Sequence, residues 1–242
     1  MTDSRLVEDF ARDGVVLVRG LLDSDALEEL RDALARYEAG VRALPPGDYT
    51  LEPDGKSVRN LWRMQLHSRF FREWMARPRF IELVRPLLGG DVEPLGVESF
   101  SKPARVGSGV PPHQDNAYFC LSPPAALTLW IAVDPVTVAN GAVEYFLGSH
   151  HALRSHSPSG VKGNSYALSA PPEPGDFVRF QPELRPGDAL LHHALVIHAS
   201  PPNQSDASRR AVVIVYRARN VVVDPVLHER YLEALSITPQ DA

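Results

Sequence analysis

The sequence predicts a mainly β fold with an N-terminal helical layer, on three observations. Apolar residues recur at helical spacing up to about residue 90. Short apolar runs of strand character replace them from residue 91 onward. The 22 prolines cluster toward the second half, which favours short strands joined by loops over a helical bundle. The spacing predicts a short helix over 6–12, ended by Gly14, and a strand over the Val-Val-Leu-Val run at 15–18. Asp23, Ser24 and Asp25 are all suitable N-caps. Behind them Ala26, Leu27, Leu30, Ala33, Leu34 and Tyr37 carry a helix to about Ala39. Residues 47–57 are polar and rich in turn formers, which predicts a mobile loop. Two more short helices follow at 70–75 and 79–88, with Pro78 near the start of the second and Gly89-Gly90 closing it. Strands are predicted at 97–101, 127–133, 142–146, 177–180, 189–198 and 211–217, each flanked by Gly, Pro, Asn or Asp. Such runs suggest a β-sandwich or barrel. No repeat or linker divides the chain, so 1–242 reads as one domain. Residues 1–90 form a mainly helical buttress, 91–220 a β core and 221–242 a C-terminal segment.

Composition narrows the function classes. With 44% hydrophobic and 23% charged residues, the chain is neither disordered, collagenous nor a coiled coil. The apolar run at 189–199 is interrupted by three histidines, so no membrane span is expected. The formal net charge is -5 and basic residues are scattered, which argues against a nucleic-acid partner. A single cysteine, Cys120, and no basic-then-apolar start predict a protein of the reducing cytoplasm without a disulfide framework. Cys120 reads as a small packed hydrophobe. Oligomeric state is not written in the sequence.

The chemistry lies in His113-Gln114-Asp115 and the later His198. In an extended segment residues i and i+2 share a face, so His113 and Asp115 could aim at one point, with His198 arriving from another strand. Two imidazoles and a carboxylate on one face of a metal make the open three-ligand set of non-haem Fe(II) oxygenases. Zinc in a hydrolase accepts the same ligands but has no need of an arginine nearby. An arginine beyond His198, at Arg209 or its neighbour Arg210, could clamp a carboxylate, which a 2-oxoglutarate-using iron enzyme requires. Strand alternation lets only one of the two face inward, and spacing favours Arg209. In an unbroken strand His192 shares a face with His198, so it lines the site or rivals it as a ligand.

The chain resembles the phytanoyl-CoA dioxygenase family of Fe(II)/2-oxoglutarate oxygenases. The resemblance rests on Asp13-Gly14-Val15-Val16, Lys102-Pro103, His113-Gln114-Asp115 and Trp130 to Asp134, then on Asn140-Gly141, Gly148-Ser149-His150, Gly187-Asp188, His198-Ala199-Ser200, Asn203, Ser205 and Arg209. It implies a double-stranded β-helix (jelly-roll, cupin-like) behind an N-terminal helical layer. It implies Fe(II) on His113, Asp115 and His198 as the catalytic centre, with 2-oxoglutarate and O2 as co-substrates. Arg209 would hold the far carboxylate, with Ser200 donating nearby and Trp130 and Thr128 on the same inner face. Glu98 falls near a position where family members often contact the co-substrate, and an acid there would repel it. Family members that halogenate lack the acidic ligand, so Asp115 points to hydroxylation of an unactivated C–H bond in a small organic molecule. Desaturation, cyclisation, epoxidation or halogenation by the same chemistry, or a jelly-roll protein that binds without turnover, are the alternatives. Tyr118 and Phe119, just after the metal motif, and Asn60 and Arg63 are candidate substrate contacts. Residues 47–57 and 154–176 are candidate lid loops.

Overall fold

A computed structural model describes residues 4–237. In chain order the helices and strands are α1 (Ser4–Asp13), β1 (Val15–Val18), α2 (Ser24–Ala39), β2 (Tyr49–Leu51), β3 (Val58–Leu61), α3 (Met64–His67), α4 (Arg69–Trp74), α5 (Pro78–Val84) and β4 (Val92–Lys102). Then come β5 (Val110–His113), α6 (Asn116–Phe119), β6 (Leu121–Ser122), β7 (Ala126–Ala132), β8 (Glu144–Phe146), β9 (His156–Val161), β10 (Asn164–Leu168) and β11 (Arg179–Phe180). The chain finishes with β12 (Ala189–His193), β13 (His198–Ser200), β14 (Arg209–Ala218), β15 (Val222–Val223) and α7 (Pro225–Ile237). Seven strands pair in the order β1-β12-β7-β14-β4-β3-β2, and four in the order β11-β8-β13-β5, all antiparallel. Tyr145 of the small sheet packs with Trp130, Leu190 and Val213 of the large one, which makes the pair a jelly-roll.

Alternation along the strands gives the large sheet two different faces. Leu127, Leu129 and Ile131 of β7 and Val212, Ile214 and Tyr216 of β14 point outward and are fully buried. Thr128, Trp130, Arg209 and Val213 point the other way, into the space between the sheets. The helices cover the outer face. The Asp23 side chain caps α2 by accepting from the Ala26 N–H at 2.9 Å, and Leu27, Leu30, Ala33 and Leu34 form its buried stripe. Burying each such leucine contributes roughly 1.5–3 kcal/mol. Further along, Trp74 meets Phe80 edge-on at 5.0 Å, and the Tyr216 hydroxyl donates to the Met75 carbonyl at 2.6 Å, tying the end of α4 to β14.

Three sequence expectations are corrected. Residues 47–57 are not a mobile loop: β2 pairs with β3 (Tyr49↔Leu61, Thr50↔Asn60) and the hairpin forms one edge of the large sheet. Its turn is pinned by Glu52, a buried carboxylate that accepts from Ser108 N at 2.9 Å and Ser108 Oγ at 2.5 Å. Residues 154–176 likewise hold a hairpin, β9–β10. The strand expected at 189–198 is broken. Its first half pairs with β1 and β7 in the large sheet, the Val196 N–H returns to the His193 carbonyl at 2.9 Å, and β13 enters the small sheet. Ala194, Leu195, Val196 and Ile197 are all buried in this crossing, so hydrophobicity does not mark it. Among the described residues no helix is long and apolar enough to cross a membrane.

Where β12 ends, His193 packs against Phe10 and His150, with ring centroids 6.1 and 5.5 Å away. Burial first, then the nearby imidazoles of His150, His192 and His151, push its pKa from 6.5 down to about 4. The folded state therefore favours the neutral ring. The stability this supplies is full above the unfolded value and drains away as pH falls from 6.5 toward 4. His193→Gln removes that proton uptake. Between about pH 7 and pH 5 the wild-type chain should lose on the order of 2 kcal/mol more stability than the variant, read from urea midpoints.

Candidate active site

The inner faces of the two sheets and the segments above them enclose a cavity of about 700 Å³. His113 closes β5, His198 opens β13, and the two are cross-strand partners with ring centroids 4.2 Å apart. Each ring is oriented by the backbone two residues behind it. His113 Nδ1 lies 3.0 Å from the Pro111 carbonyl and His198 Nδ1 lies 3.1 Å from the Val196 carbonyl. A carbonyl oxygen only accepts, so Nδ1 carries the proton and each Nε2 keeps its lone pair. Burial and the adjacent His113 hold the His198 pKa well below the usual imidazole value, so it stays neutral.

Asp115 arrives differently from the extended geometry expected. The strand stops at His113, and Asp115 is helical (φ −58°, ψ −32°) at the N-cap of α6. The peptide between them is fixed by Gln114, whose buried amide donates to the carbonyls of Ala152 (2.9 Å) and Leu195 (2.6 Å). The two oxygens of Asp115 have separate partners. Oδ2 accepts from Thr128 Oγ1 at 2.7 Å and from His192 Nε2 at 3.1 Å, and His192 Nδ1 in turn accepts from the Tyr145 hydroxyl at 3.1 Å. Oδ1 faces the Nε2 atoms of His113 and His198, 3.6 Å from each. Burial alone would raise the Asp115 pKa, but His198, His113 and His192 hold it well below the usual carboxylate range. One ligand atom from each of His113, Asp115 and His198 lies within 4.8 Å of the others. Two imidazole Nε2 atoms and one ionised carboxylate oxygen, converging on an open cavity, suit a divalent transition metal with free positions. His192 is therefore a support for Asp115, and Tyr145 a support for His192.

Arg209 is buried on the same inner face, its guanidinium 5.3 Å from the Trp130 ring centroid. One Nη donates to the Gly141 carbonyl at 2.9 Å, while Nε is buried with no partner among the described residues. Burial lowers its pKa to about 10, which leaves it charged at neutral pH. Gly141 supplies that carbonyl from a φ of +88°, where an added Cβ would stand 2.6 Å from the Pro201 carbonyl oxygen. The rival Arg210 points outward and forms a two-pronged pair with Asp134 (2.9 and 3.0 Å). Ser200 and Lys102 also line this end of the cavity. Burial first, then the charge of Arg209, push the Lys102 pKa down to about 6.

The remaining sequence candidates all line the cavity too. Tyr118 meets His113 edge-on at 5.7 Å and donates its hydroxyl to the Tyr166 carbonyl at 2.6 Å. Phe119 follows it. The Asn60 Oδ1 atom is buried and unpartnered, and Arg63 is tied to Asp48 through Nε at 2.6 Å. Sequence reasoning missed Tyr145 and the contribution of α7, whose Tyr231 and Leu235 line the cavity. It also missed the buried Arg59–Glu52 pair at 3.6 Å. Cys120 is buried, and burial followed by Asp224 raises its thiol to about 11, so it is no nucleophile at neutral pH.

Comparison with known proteins agrees with this geometry. The family description "Phytanoyl-CoA dioxygenase (PhyH)" matches residues 10–211. A mouse protein, phytanoyl-CoA dioxygenase domain-containing protein 1, is 32% identical over 179 residues, covering 69% of this chain and 60% of that protein. The chain thus spans about three fifths of that relative's length. A Caenorhabditis briggsae homolog is 26% identical over 260 aligned positions, covering 87% of this chain and 89% of its own. Among solved structures, the epimerase SnoN in complex with Fe3+, alpha ketoglutarate and nogalamycin RO superposes with a TM-score of 0.76 at 27% identity, covering 98% of this chain and 91% of that one. EctD from S. alaskensis, solved with 2-oxoglutarate and 5-hydroxyectoine, has a TM-score of 0.77 at 21% identity over 89% and 76% of the two chains, a likeness of fold. Matched from the first helix to the last long strand, the chain belongs to the phytanoyl-CoA dioxygenase family.

Proposed function

We propose that this chain is a non-haem Fe(II)/2-oxoglutarate-dependent dioxygenase that hydroxylates an unactivated C–H bond of a small organic molecule. The observation that carries the reading is the meeting of two lone-pair-bearing Nε2 atoms and one carboxylate oxygen in a cavity that also holds a buried arginine with an unused N–H. His113, Asp115 and His198 would hold the metal, and their donor set and preset tautomers fit it. Fe(II) with 2-oxoglutarate and O2 supplies a two-electron oxidation that puts one oxygen atom into the substrate and the other into succinate, with release of CO2.

The chain's own residues do the positioning. The Pro111 and Val196 carbonyls keep both imidazoles turned with Nε2 forward. Thr128 and His192 hold Oδ2 of Asp115, so Oδ1 stays directed at the imidazoles. Arg209, over the Trp130 ring, would hold the far carboxylate of the co-substrate, with Ser200 also on that lining. Tyr118 and Phe119 wall the open side and limit water. An ionised carboxylate at position 115 supports hydroxylation over halogenation. The solved neighbours include an epimerase and a carbocyclase. The outcome is therefore tested by product: incubation with candidate substrates should give a 2-oxoglutarate-dependent gain of one oxygen by mass spectrometry. Succinate formation that always accompanies an unchanged or dehydrogenated product mass would overturn hydroxylation.

Asp115→Ala should abolish Fe(II) binding in anaerobic calorimetry, and Thr128→Val should weaken it by about 10–100-fold through the freed carboxylate oxygen. Arg209→Gln should raise the KM for 2-oxoglutarate by roughly 10–100-fold, the loss of a charge-assisted pair of 1.5–3 kcal/mol, while Fe(II) binding stays unchanged. Unaltered succinate kinetics in Arg209→Gln would remove Arg209 from the co-substrate site.

A further inference from the structure

Around Arg209 the cavity carries that one guanidinium charge, with the Lys102 amine, driven toward its neutral form, and the Arg59–Glu52 pair also on the lining or beside it. Trp62, Phe119 and Tyr231 also line it, and several polar groups near them are already committed. Trp62 Nε1 donates to Thr50 Oγ1 at 3.2 Å, Arg63 is paired with Asp48, and the Tyr231 hydroxyl bonds Ser165. Besides the Asn60 Oδ1 atom, one carboxyl is left over among the described residues. Glu98 lies on the inner face of β4, in register with Val213 and through it with Trp130. It lines the cavity and makes no hydrogen bond or ion pair with any described residue.

A half-buried carboxyl that faces a chamber without a protein partner leaves its hydrogen-bonding capacity to whatever fills the chamber. Burial first, then the negative charge of Asp115, raise the Glu98 pKa to about 8, and the charge of Arg63 offsets this only in part. Arg63 itself is paired with Asp48. The complement is a group that donates hydrogen bonds and carries positive charge, and aromatic faces favour the same group. A hydroxyl would satisfy the hydrogen bond alone.

We propose that Glu98 is the anchor for the primary substrate and that this substrate presents a protonated amine to it. The chamber then holds two ligands of opposite character, an acid at Arg209 and an amine at Glu98. This deepens the oxygenase reading by naming a substrate class.

The test compares benzylamine with benzyl alcohol, titrated calorimetrically into the metal-free wild-type chain, Glu98→Gln and Asp115→Asn, with thermal melts as a check on folding. The amine should bind the wild type at least about tenfold more tightly than the alcohol. Glu98→Gln should lose that preference with alcohol binding unchanged, and Asp115→Asn should keep it. Absence of amine binding up to its solubility limit, an amine preference that survives Glu98→Gln, or one lost in Asp115→Asn alone would each overturn the proposal. Because the titration needs neither metal nor 2-oxoglutarate, its failure is separate from failure of the oxygenase reading, which the succinate assay decides.

Discussion

The site depends on how one carboxylate is shared. Asp115 gives one oxygen to Thr128 and His192 and keeps the other for the two imidazoles. That division joins three parts of the fold. Asp115 stands at the N-cap position of a one-turn helix, Thr128 lies mid-strand in β7, and His192 lies beside it in β12, where His192 and Thr128 are register partners. The small sheet supplies the imidazoles as a second register pair, His198 with His113. Two cross-strand pairs, one from each sheet, thus meet at a single side chain, and sheet register sets the geometry of the site.

Electrostatics follows from the same enclosure. Burial penalises every charge in the chamber, and the neighbours decide which charges survive. Asp115 stays ionised because three imidazoles surround it. Arg209 stays charged despite burial, while Lys102, beside it, is driven toward the neutral amine. Glu98, its desolvation offset only in part by Arg63, is driven toward the neutral acid while no further cation stands beside it. A low-polarity setting thus yields one ionised and one neutral carboxyl within the same cavity.

Much of this was legible in the sequence, for specific reasons. His113, Asp115, His198 and Arg209 carry side chains whose chemistry is rare in combination, and alternation correctly put Thr128 and Trp130 on one face and Leu127, Leu129 and Ile131 on the other. The geometry of Asp115 was not legible, since a strand end and a helix cap both bring it to the same point. The role of His192 depended on the break at 194–197, where four buried apolar residues hide a change of sheet. The β2–β3 edge was missed because its strands are of three and four residues, and the turn formers between them dominate the local signal. Tyr145 and Tyr231 act through position alone, which no residue pattern records.

The cover of the chamber has a different origin from its floor. Tyr118 of α6, Tyr166 of β10 and Tyr231 of α7 lean on one another with centroids 5.7 to 6.3 Å apart, and the Tyr166 hydroxyl donates to the Arg230 carbonyl at 2.5 Å. The floor is laid down by sheet pairing, whereas this roof joins α6, which follows Asp115, to a hairpin and a helix that contribute no candidate ligand among the described residues. Two of the three tyrosines thus come from chain segments remote in sequence from His113, Asp115 and His198, and the roof can vary there without moving the sheet register beneath it.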